Sequence, residues 1–151
     1  MKKLTNIQTY IFLFGAIMMV LGAALNMVAD FFGLDAVIID GLHKVGACVF
    51  LLGSLCFAPM QIIQTYQGNN FVIRRLRTLQ VIGDIFFIVA GLFLFENAFR
   101  VAFPLFTSSM ENQILYAQYV NNNWVLFLLV AAILEVYTTH RIAYELKKEN
   151  L

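Results

Sequence analysis

Four apolar segments, separated by short polar stretches, determine what this chain can fold into. A helix needs about 20 apolar residues to cross the hydrocarbon core of a bilayer. The segments that meet or approach this length are, approximately, residues 10–29, 42–63, 79–101 and 124–144. The sequence therefore predicts an all-α integral membrane protein in which residues 1–151 form a single domain, an antiparallel bundle of four transmembrane helices.

Composition supports a membrane protein and argues against several other classes. Hydrophobic residues make up 61% of the chain and charged residues only 13%, whereas about 25% of the residues in a soluble domain are charged. The net charge of +1 gives no basic surface of the kind that binds nucleic acid, so no nucleic-acid partner is predicted. The predicted partner of most of the surface is the lipid bilayer.

The third segment is the weakest, because Asp84, Glu96 and Arg100 interrupt it, and the basic residues decide whether it crosses. With four crossings, eight basic residues lie on one side of the membrane and only Lys44 and Arg100 lie on the other. The eight are Lys2, Lys3, Arg74, Arg75, Arg77, Arg141, Lys147 and Lys148. Basic residues concentrate on the cytoplasmic side of membrane proteins, so this asymmetry predicts four crossings with both termini in the cytoplasm.

The first segment also has features of a secretion signal, because Lys2 and Lys3 precede its apolar run. The run is longer than the apolar part of an ordinary signal, and three more apolar segments follow it. We therefore expect a retained first helix. The short loops favour a prokaryotic plasma membrane as the location of this multi-pass protein.

The third connection, residues 104–123, is the longest and contains a helix signal of its own. Ser108 and Glu111 have the spacing of a capping box at a helix start. Met110, Ile114 and Leu115 would lie on one apolar face of that helix. The sequence thus predicts a short helix in the membrane interface.

Glycines recur at helical spacing in the first three segments. The first two segments share the pattern Gly-Ala-x4-Leu-Gly-small, and glycines seven residues apart fall near one helix face, where they let two backbones approach closely. The predicted helix-packing residues are Gly15, Gly22, Gly46, Gly53, Gly83 and Gly91. A transporter repeat is an alternative explanation, but helix packing is favoured because the last two segments do not repeat the pattern.

Asp84 and Glu135 are the candidates for chemistry inside the membrane, where ionisable groups are costly. Both fall in the cytoplasmic half of helices that follow each other in the chain. If they face each other, repulsion in a low dielectric favours binding of a shared proton. In the alternative, which is favoured, both are structural: Asp84 pairs with Arg75 or Arg77, and Glu135 bonds to a nearby threonine or a neighbouring helix.

A second polar group gathers at the outer ends of the first three segments. Its members are Asn26, Asp30, His43, Lys44, Glu96, Asn97 and Arg100. Glu96 and Arg100 are spaced for an ion pair along one helix face. The group would either surround an outward-facing cavity or form a hydrated rim in which Lys44 and Arg100 extend to water. The rim is favoured.

Metal, cofactor and catalytic motifs are not found in the sequence. His43 and His140 fall at opposite membrane faces, so they cannot share a haem or a metal ion. Cys48 and Cys56 would be about 12 Å apart along one helix, too far for a disulfide. No catalytic residue, metal site or cofactor is predicted.

Three functions are compatible with these features. The favoured one is a non-enzymatic structural or accessory component that packs against a second copy or a larger membrane complex through glycine-lined faces. The alternative is a small proton-coupled transporter or permease that uses Asp84 and Glu135. An enzyme acting on a lipid or quinone at the outer polar group has the least support, because no nucleophile or metal-binding set is found. A scaffold needs outward-facing glycines, whereas a transporter needs carboxylates that face an internal water path.

Overall fold

The structure, a computed structural model, describes residues 4–32 and 35–149, and within these ranges every regular element is helical. The α-helices are α1 (Asn6–Val28), α2 (Ala36–Ile63), α3 (Phe71–Phe99), α4 (Met110–Tyr119) and α5 (Trp124–Glu149), and short 3-10 helices cover Ala29–Phe32 and Phe103–Phe106. Four helical segments are long and apolar enough to cross a membrane: α1, α2, α3 and Met110–Glu149, which contains α4 and α5. The prediction of an all-helical fold with four helices long and apolar enough to cross a membrane is confirmed for the described residues. Lys2 and Lys3 lie outside the described residues.

Three long helices begin earlier than the apolar segments do, and α1 begins at Asn6 rather than near residue 10. α2 begins at Ala36 rather than near residue 42, and α3 begins at Phe71 rather than near residue 79. Hydropathy detects only the part of a helix that is apolar, whereas backbone hydrogen bonds continue into polar sequence. The side chain of Asn70 caps the start of α3 by accepting a hydrogen bond of 3.0 Å from Val72 N.

The long helices contact each other in the order α1–α2–α3–α5. Within the described ranges, α5 does not pack its backbone directly against α1 or α2. The main apolar core consists of Met19, Ala47, Phe50, Phe57, Phe87, Ala90, Leu94, Trp124 and Ala131. Polar side chains of α2, α3 and α5 meet beside this core.

Glycines mediate the contact between α1 and α2. A Cβ atom at Gly15 would lie 2.8 Å from Gly53 O, and one at Gly22 would lie 2.6 Å from Gly46 O. No real Cβ atom approaches a neighbour this closely, so the two glycine faces lie directly against each other. These faces are therefore used within the chain and are not available to a partner.

The two glycines of α3 lie at different contacts. A Cβ atom at Gly83 would lie 3.3 Å from Leu134 Cβ of α5, and one at Gly91 would lie 3.1 Å from Ser54 Oγ of α2. These distances are less extreme than those between α1 and α2. The absence of side chains at the two positions lets α3 lie close to both of its neighbours.

Large apolar side chains cover the outward faces of the long helices. One example from each helix is Val20, which is 69% exposed, Leu52 (56%), Leu92 (53%) and Val136 (72%). A soluble protein does not expose apolar surface on every helix in this way. Hydrocarbon is the solvent that such a surface fits.

The connection between α3 and α5 contains the short helix α4, but its cap differs from the prediction. The side chain of Ser109, whose backbone is extended (φ −149°, ψ 157°), accepts a hydrogen bond from Asn112 N at 3.2 Å. Ser108 instead accepts from the side chain of Asn112 at 2.9 Å. The predicted capping box at Ser108 is therefore wrong by one position, because Ser109 has the extended backbone that a cap requires.

Candidate functional site

Three polar side chains lie along one buried face of α3. Arg77, Gln80 and Asp84 are spaced by three and four residues, which places them on the same side of a helix. Gln80 and Arg77 are 5% and 9% exposed, and Asp84 is completely buried. The face points towards α2 and α5, which contribute Gln61 and Glu135. These five residues form the buried polar cluster.

Glu135 of α5 is held by side chains from three helices. Its Oε1 atom accepts hydrogen bonds from Gln61 Nε2 at 2.6 Å, Gln80 Nε2 at 3.0 Å and Thr139 Oγ1 at 2.9 Å. Its other oxygen, Oε2, is buried and has no hydrogen-bond partner in the described part of the chain. The prediction that Glu135 bonds to a nearby threonine and to neighbouring helices thus accounts for one of the two carboxylate oxygens.

Arg77 organises the cluster without pairing to a carboxylate. Its guanidinium donates to the backbone carbonyls of Gln61, at 2.7 Å, and Gln64, and to the side-chain oxygen of Gln80. The last carbonyls of a helix have no partner within that helix, so Arg77 closes the end of α2. Because Gln80 accepts from Arg77 through its oxygen, its amide nitrogen is directed to Glu135.

Asp84 is the least satisfied group in the cluster. Neither of its carboxylate oxygens has a hydrogen-bond partner among the described residues, although Asp84 interacts electrostatically with Glu135 and Arg77. The pairing of Asp84 with Arg75 or Arg77 that the sequence allows does not form, because Arg77 is turned to the end of α2 and Arg75 is exposed. An ionised carboxylate in this position would be buried beside a second carboxylate and without a hydrogen bond from any described residue, which is strongly unfavourable.

The cluster lacks one positive charge and at least one hydrogen-bond donor. With both carboxylates ionised, one arginine leaves a net charge of −1, and the buried atoms without partners are all oxygen acceptors. Those atoms are Gln61 Oε1, Asp84 Oδ1, Asp84 Oδ2 and Glu135 Oε2. No set of three His, Cys, Asp or Glu side chains within residues 4–32 and 35–149 could hold a metal ion. One proton would both neutralise the cluster and supply a donor.

A cavity of about 290 Å³ reaches the cluster from the end of the molecule at which α1 begins and α5 ends. It is lined by Phe12, Gln61, Gln64, Arg77, Gln80, Glu135, Thr139, Ile142, Ala143 and Leu146. Asp84 lies one helical turn beyond Gln80 and does not line the cavity. Glu135 and Gln80 therefore stand between the cavity and Asp84.

The outer polar group divides into separate contacts. The Asn26 side chain lies 3.1 Å from His43 Nδ1, and this contact joins α1 to α2. Asn26 also donates to Gly22 O of its own helix at 3.0 Å. Asp30 belongs to the 3-10 helix Ala29–Phe32, but its side chain lies outside the described part of the structure. Asn97 contacts Asn122 at 3.4 Å. The group does not form one continuous network of described side chains.

Glu96 is turned away from the rest of the outer group. It accepts hydrogen bonds from Tyr116 Oη at 2.7 Å and from Ala102 N at 3.0 Å, which holds α4 against the end of α3. The predicted ion pair between Glu96 and Arg100 is wrong. Arg100 ends α3 in a left-handed conformation with φ 51°, which turns the chain away from the helix.

A hollow of about 670 Å³ opens between these contacts, at the opposite end of the molecule from the first cavity. Its lining residues are Asp40, His43, Lys44, Asn97, Ala98, Phe99, Arg100, Asn121 and Asn122. Lys44 is paired with Asp40, four residues earlier on α2, at 2.6 Å. The hollow is wide and its charges are largely exposed, so the buried polar cluster is the stronger candidate site.

Three members of the buried polar cluster were not predicted as site residues: Gln61, Gln80 and Arg77. The glutamines are uncharged and lie near the ends of apolar segments, where polar residues are common. Arg77 counts towards the basic side of the membrane. The signal that identifies two of them is the helical spacing of Arg77, Gln80 and Asp84, which places all three on one face.

Comparison with known proteins gives no match: no protein-family model, no curated protein and no solved structure shows significant similarity to the chain.

Proposed function

We propose that the chain is a small proton-coupled membrane transporter in which Asp84 and Glu135 share a transported proton. The observation that carries this proposal is the complete burial of Asp84, whose two carboxylate oxygens form no hydrogen bond with the described residues. Beside it, Glu135 Oε2 also has no partner among those residues. Intramembrane carboxylates of this kind mark proton pathways. A proton on Asp84 provides the donor that the cluster lacks.

The surroundings of the carboxylates support movement of the proton as well as its binding. Glu135 lines the cavity, whereas Asp84 lies one turn deeper, so a proton entering from the cavity meets Glu135 first. The hydrogen bonds from Gln61 and Gln80 stabilise an ionised Glu135. The two carboxylates therefore have unequal surroundings, which favours transfer of the proton from the wetter site to the drier one.

The other two functions have less support. An accessory component was predicted to use glycine-lined faces to bind a partner, and α1 and α2 use their glycine faces on each other. An enzyme at the outer polar group would need converging reactive groups, whereas Glu96 is turned to Tyr116 and away from Arg100. The transporter is the function whose requirement, a carboxylate facing an internal cavity, has a counterpart in the structure.

We also propose an orientation of the chain in its membrane. Both termini lie in the cytoplasm of a prokaryotic cell, on the side with most of the basic residues. α4 lies in the interface on the non-cytoplasmic side of the plasma membrane, with Met110, Ile114 and Leu115 as its apolar contacts. Their exposed fractions of 78%, 61% and 43% support contact with lipid.

Chemical labelling tests the proton site. Dicyclohexylcarbodiimide is an apolar reagent that modifies protonated carboxyl groups in apolar surroundings. In the full chain reconstituted in liposomes, we expect modification of Asp84 or Glu135, located by peptide mass spectrometry and decreasing as the pH rises. Asp40, which is exposed and paired with Lys44, is the control that stays unmodified. Absence of modification at both Asp84 and Glu135 would reject the proton site.

Proton flux tests the transport step separately. Liposomes containing the full chain and an internal pH indicator are exposed to a pH gradient and then to a panel of small solutes. We expect proton flux that depends on one of these solutes, is abolished in Asp84→Asn, and is unchanged in Asp40→Asn. Carbodiimide labelling without any solute-dependent flux would retain the proton site and reject transport.

A further inference from the structure

A basic surface lies on the outside of α3, near its first residues, and shares only Arg77 with the buried polar cluster. Arg74 and Arg75 are exposed, and Thr78 lies one turn further along the same helix. Two adjoining hollows meet at Arg74 and Thr78, with volumes of about 220 and 440 Å³.

This surface carries an excess of positive charge, with the Glu149 carboxylate at its edge bonded to Tyr66. Its lining includes three arginines and no carboxylate. Arg77 already donates to the end of α2, but the guanidinium groups of Arg74 and Arg75 form no hydrogen bond or ion pair with any described residue. Exposed arginines with free donors are suited to a phosphate group, which they bind through two parallel hydrogen bonds.

The surface continues into apolar side chains along α3. Arg74, Thr78, Ile82 and Ile85 follow one another at spacings of four, four and three residues, so they lie on one helix face. Ile82 and Ile85 are 39% and 50% exposed. A ligand bound here therefore first meets two free guanidinium groups and the Thr78 hydroxyl, which donates to Arg74 O at 3.3 Å. Beyond them lies an apolar strip that leads towards the middle of the helix.

We propose that this surface binds an anionic phospholipid, with its phosphate at Arg74, Arg75 and Thr78 and an acyl chain along Ile82 and Ile85. A soluble phosphate would use the basic part alone, whereas a phospholipid uses both parts. Basic residues at the membrane surface attract anionic lipids. This assignment is independent of the proton site, because none of the five residues belongs to the buried polar cluster.

Lipid retention tests the assignment. The full chain is purified from nanodiscs that contain equal amounts of phosphatidylglycerol and phosphatidylcholine, and the retained lipids are counted by native mass spectrometry. We expect wild-type protein to retain more phosphatidylglycerol than phosphatidylcholine. In the double variant Arg74→Gln/Arg75→Gln, the ratio of the two retained lipids is expected to fall roughly thirtyfold. Arg141→Gln is the matched control, because Arg141 lies near the same end of the molecule but is paired with Glu145 at 3.0 Å.

Three results would overturn the assignment. One is an unchanged preference in the double variant whose circular dichroism matches that of wild type. Another is an equal loss in Arg141→Gln, which would show that total charge, and not this surface, determines retention. The third is displacement of the lipid by glycerol phosphate, which has the charged group without the acyl chains and would identify a site for a soluble phosphate.

Discussion

Gln61 Nε2 donates a hydrogen bond of 2.6 Å to Glu135 Oε1 and so joins α2 to α5, two helices whose backbones do not pack directly against each other. Gln80 of α3 donates to the same oxygen at 3.0 Å. The position of the Glu135 carboxylate is therefore set by amide groups of two other helices.

Removal of the Gln61 amide is expected to destabilise the protein. Hydrogen bonds between transmembrane helices contribute about 0.6–2 kcal/mol, and Gln61→Leu leaves Glu135 with one donor fewer. We expect a loss of about 1–2 kcal/mol in the free energy of unfolding, measured by titration with a denaturing detergent. Gln67→Leu, the same change at an exposed position of the α2–α3 loop, is the control. Equal effects of the two substitutions would contradict the role of Gln61.

The close contact between α1 and α2 predicts opposite effects of two glycine substitutions. A Cβ atom at Gly22 would lie 2.5 Å from Phe50 N, so Gly22→Ala forces the backbones apart and is expected to cost about 1–3 kcal/mol. Gly41, also in a helix, has nothing within 4 Å of its Cβ position. Gly41→Ala is therefore expected to stabilise the chain by up to about 1 kcal/mol. Thermal unfolding in micelles measures both, and a stable Gly22→Ala variant would contradict the packing.

The contact between Tyr116 and Glu96 predicts the mobility of α4. Tyr116 is buried and donates to Glu96 at 2.7 Å. Tyr116→Phe removes this bond and leaves the carboxylate with Ala102 N alone, so we expect faster hydrogen exchange across residues 103–119, without a change in α1. Tyr119→Phe, at a position 62% exposed, is the matched control. Exchange in the Tyr116→Phe variant that equals wild type would show that the bond does not hold α4.

The α2–α3 loop contains Tyr66, whose phenol has a raised pKa. Burial and the hydrogen bond to Glu149 raise the pKa of Tyr66 above its ordinary value of 10.0. A raised pKa means that the neutral phenol is favoured in the folded chain. Its contribution to stability is present below pH 10 and is lost as the pH rises through the folded-state pKa.

Absorbance of tyrosinate measures this titration as the difference between wild type and Tyr66→Phe. We expect a midpoint above 10.0 in wild type, and a lower midpoint in Glu149→Gln, where the charge of the acceptor is removed. A wild-type midpoint at or below 10.0, or no response to Glu149→Gln, would contradict the contact between the loop and the end of α5.

The four membrane helices were predictable because a bilayer requires a long apolar run, and hydropathy detects it directly. The positions at which the helices begin were harder to predict. The first turns of α3 contain Arg74, Arg75 and Arg77, which hydropathy excludes, yet Asn70 caps the helix and backbone hydrogen bonding continues through them. Hydropathy shows which part of a helix is apolar, but it does not show where the helix begins and ends.

The candidate site was predictable in part. Asp84 and Glu135 stand out because charge is rare inside apolar segments. The spacing of Gly15 and Gly22 identifies a helix face but not the helix that lies against it, since the partner depends on the tertiary arrangement. Gln61 and Gln80 give no signal in composition, because a neutral amide at a helix end is equally compatible with an exposed boundary. Their role depends on α2, α3 and α5 meeting around one carboxylate.

Infrared spectroscopy of the reconstituted chain tests most directly whether Asp84 is protonated inside the molecule. At neutral pH we expect a carbonyl band of a protonated carboxylic acid that disappears in Asp84→Asn and persists in Asp40→Asn. A wild-type spectrum that contains only carboxylate bands at neutral pH would contradict the account.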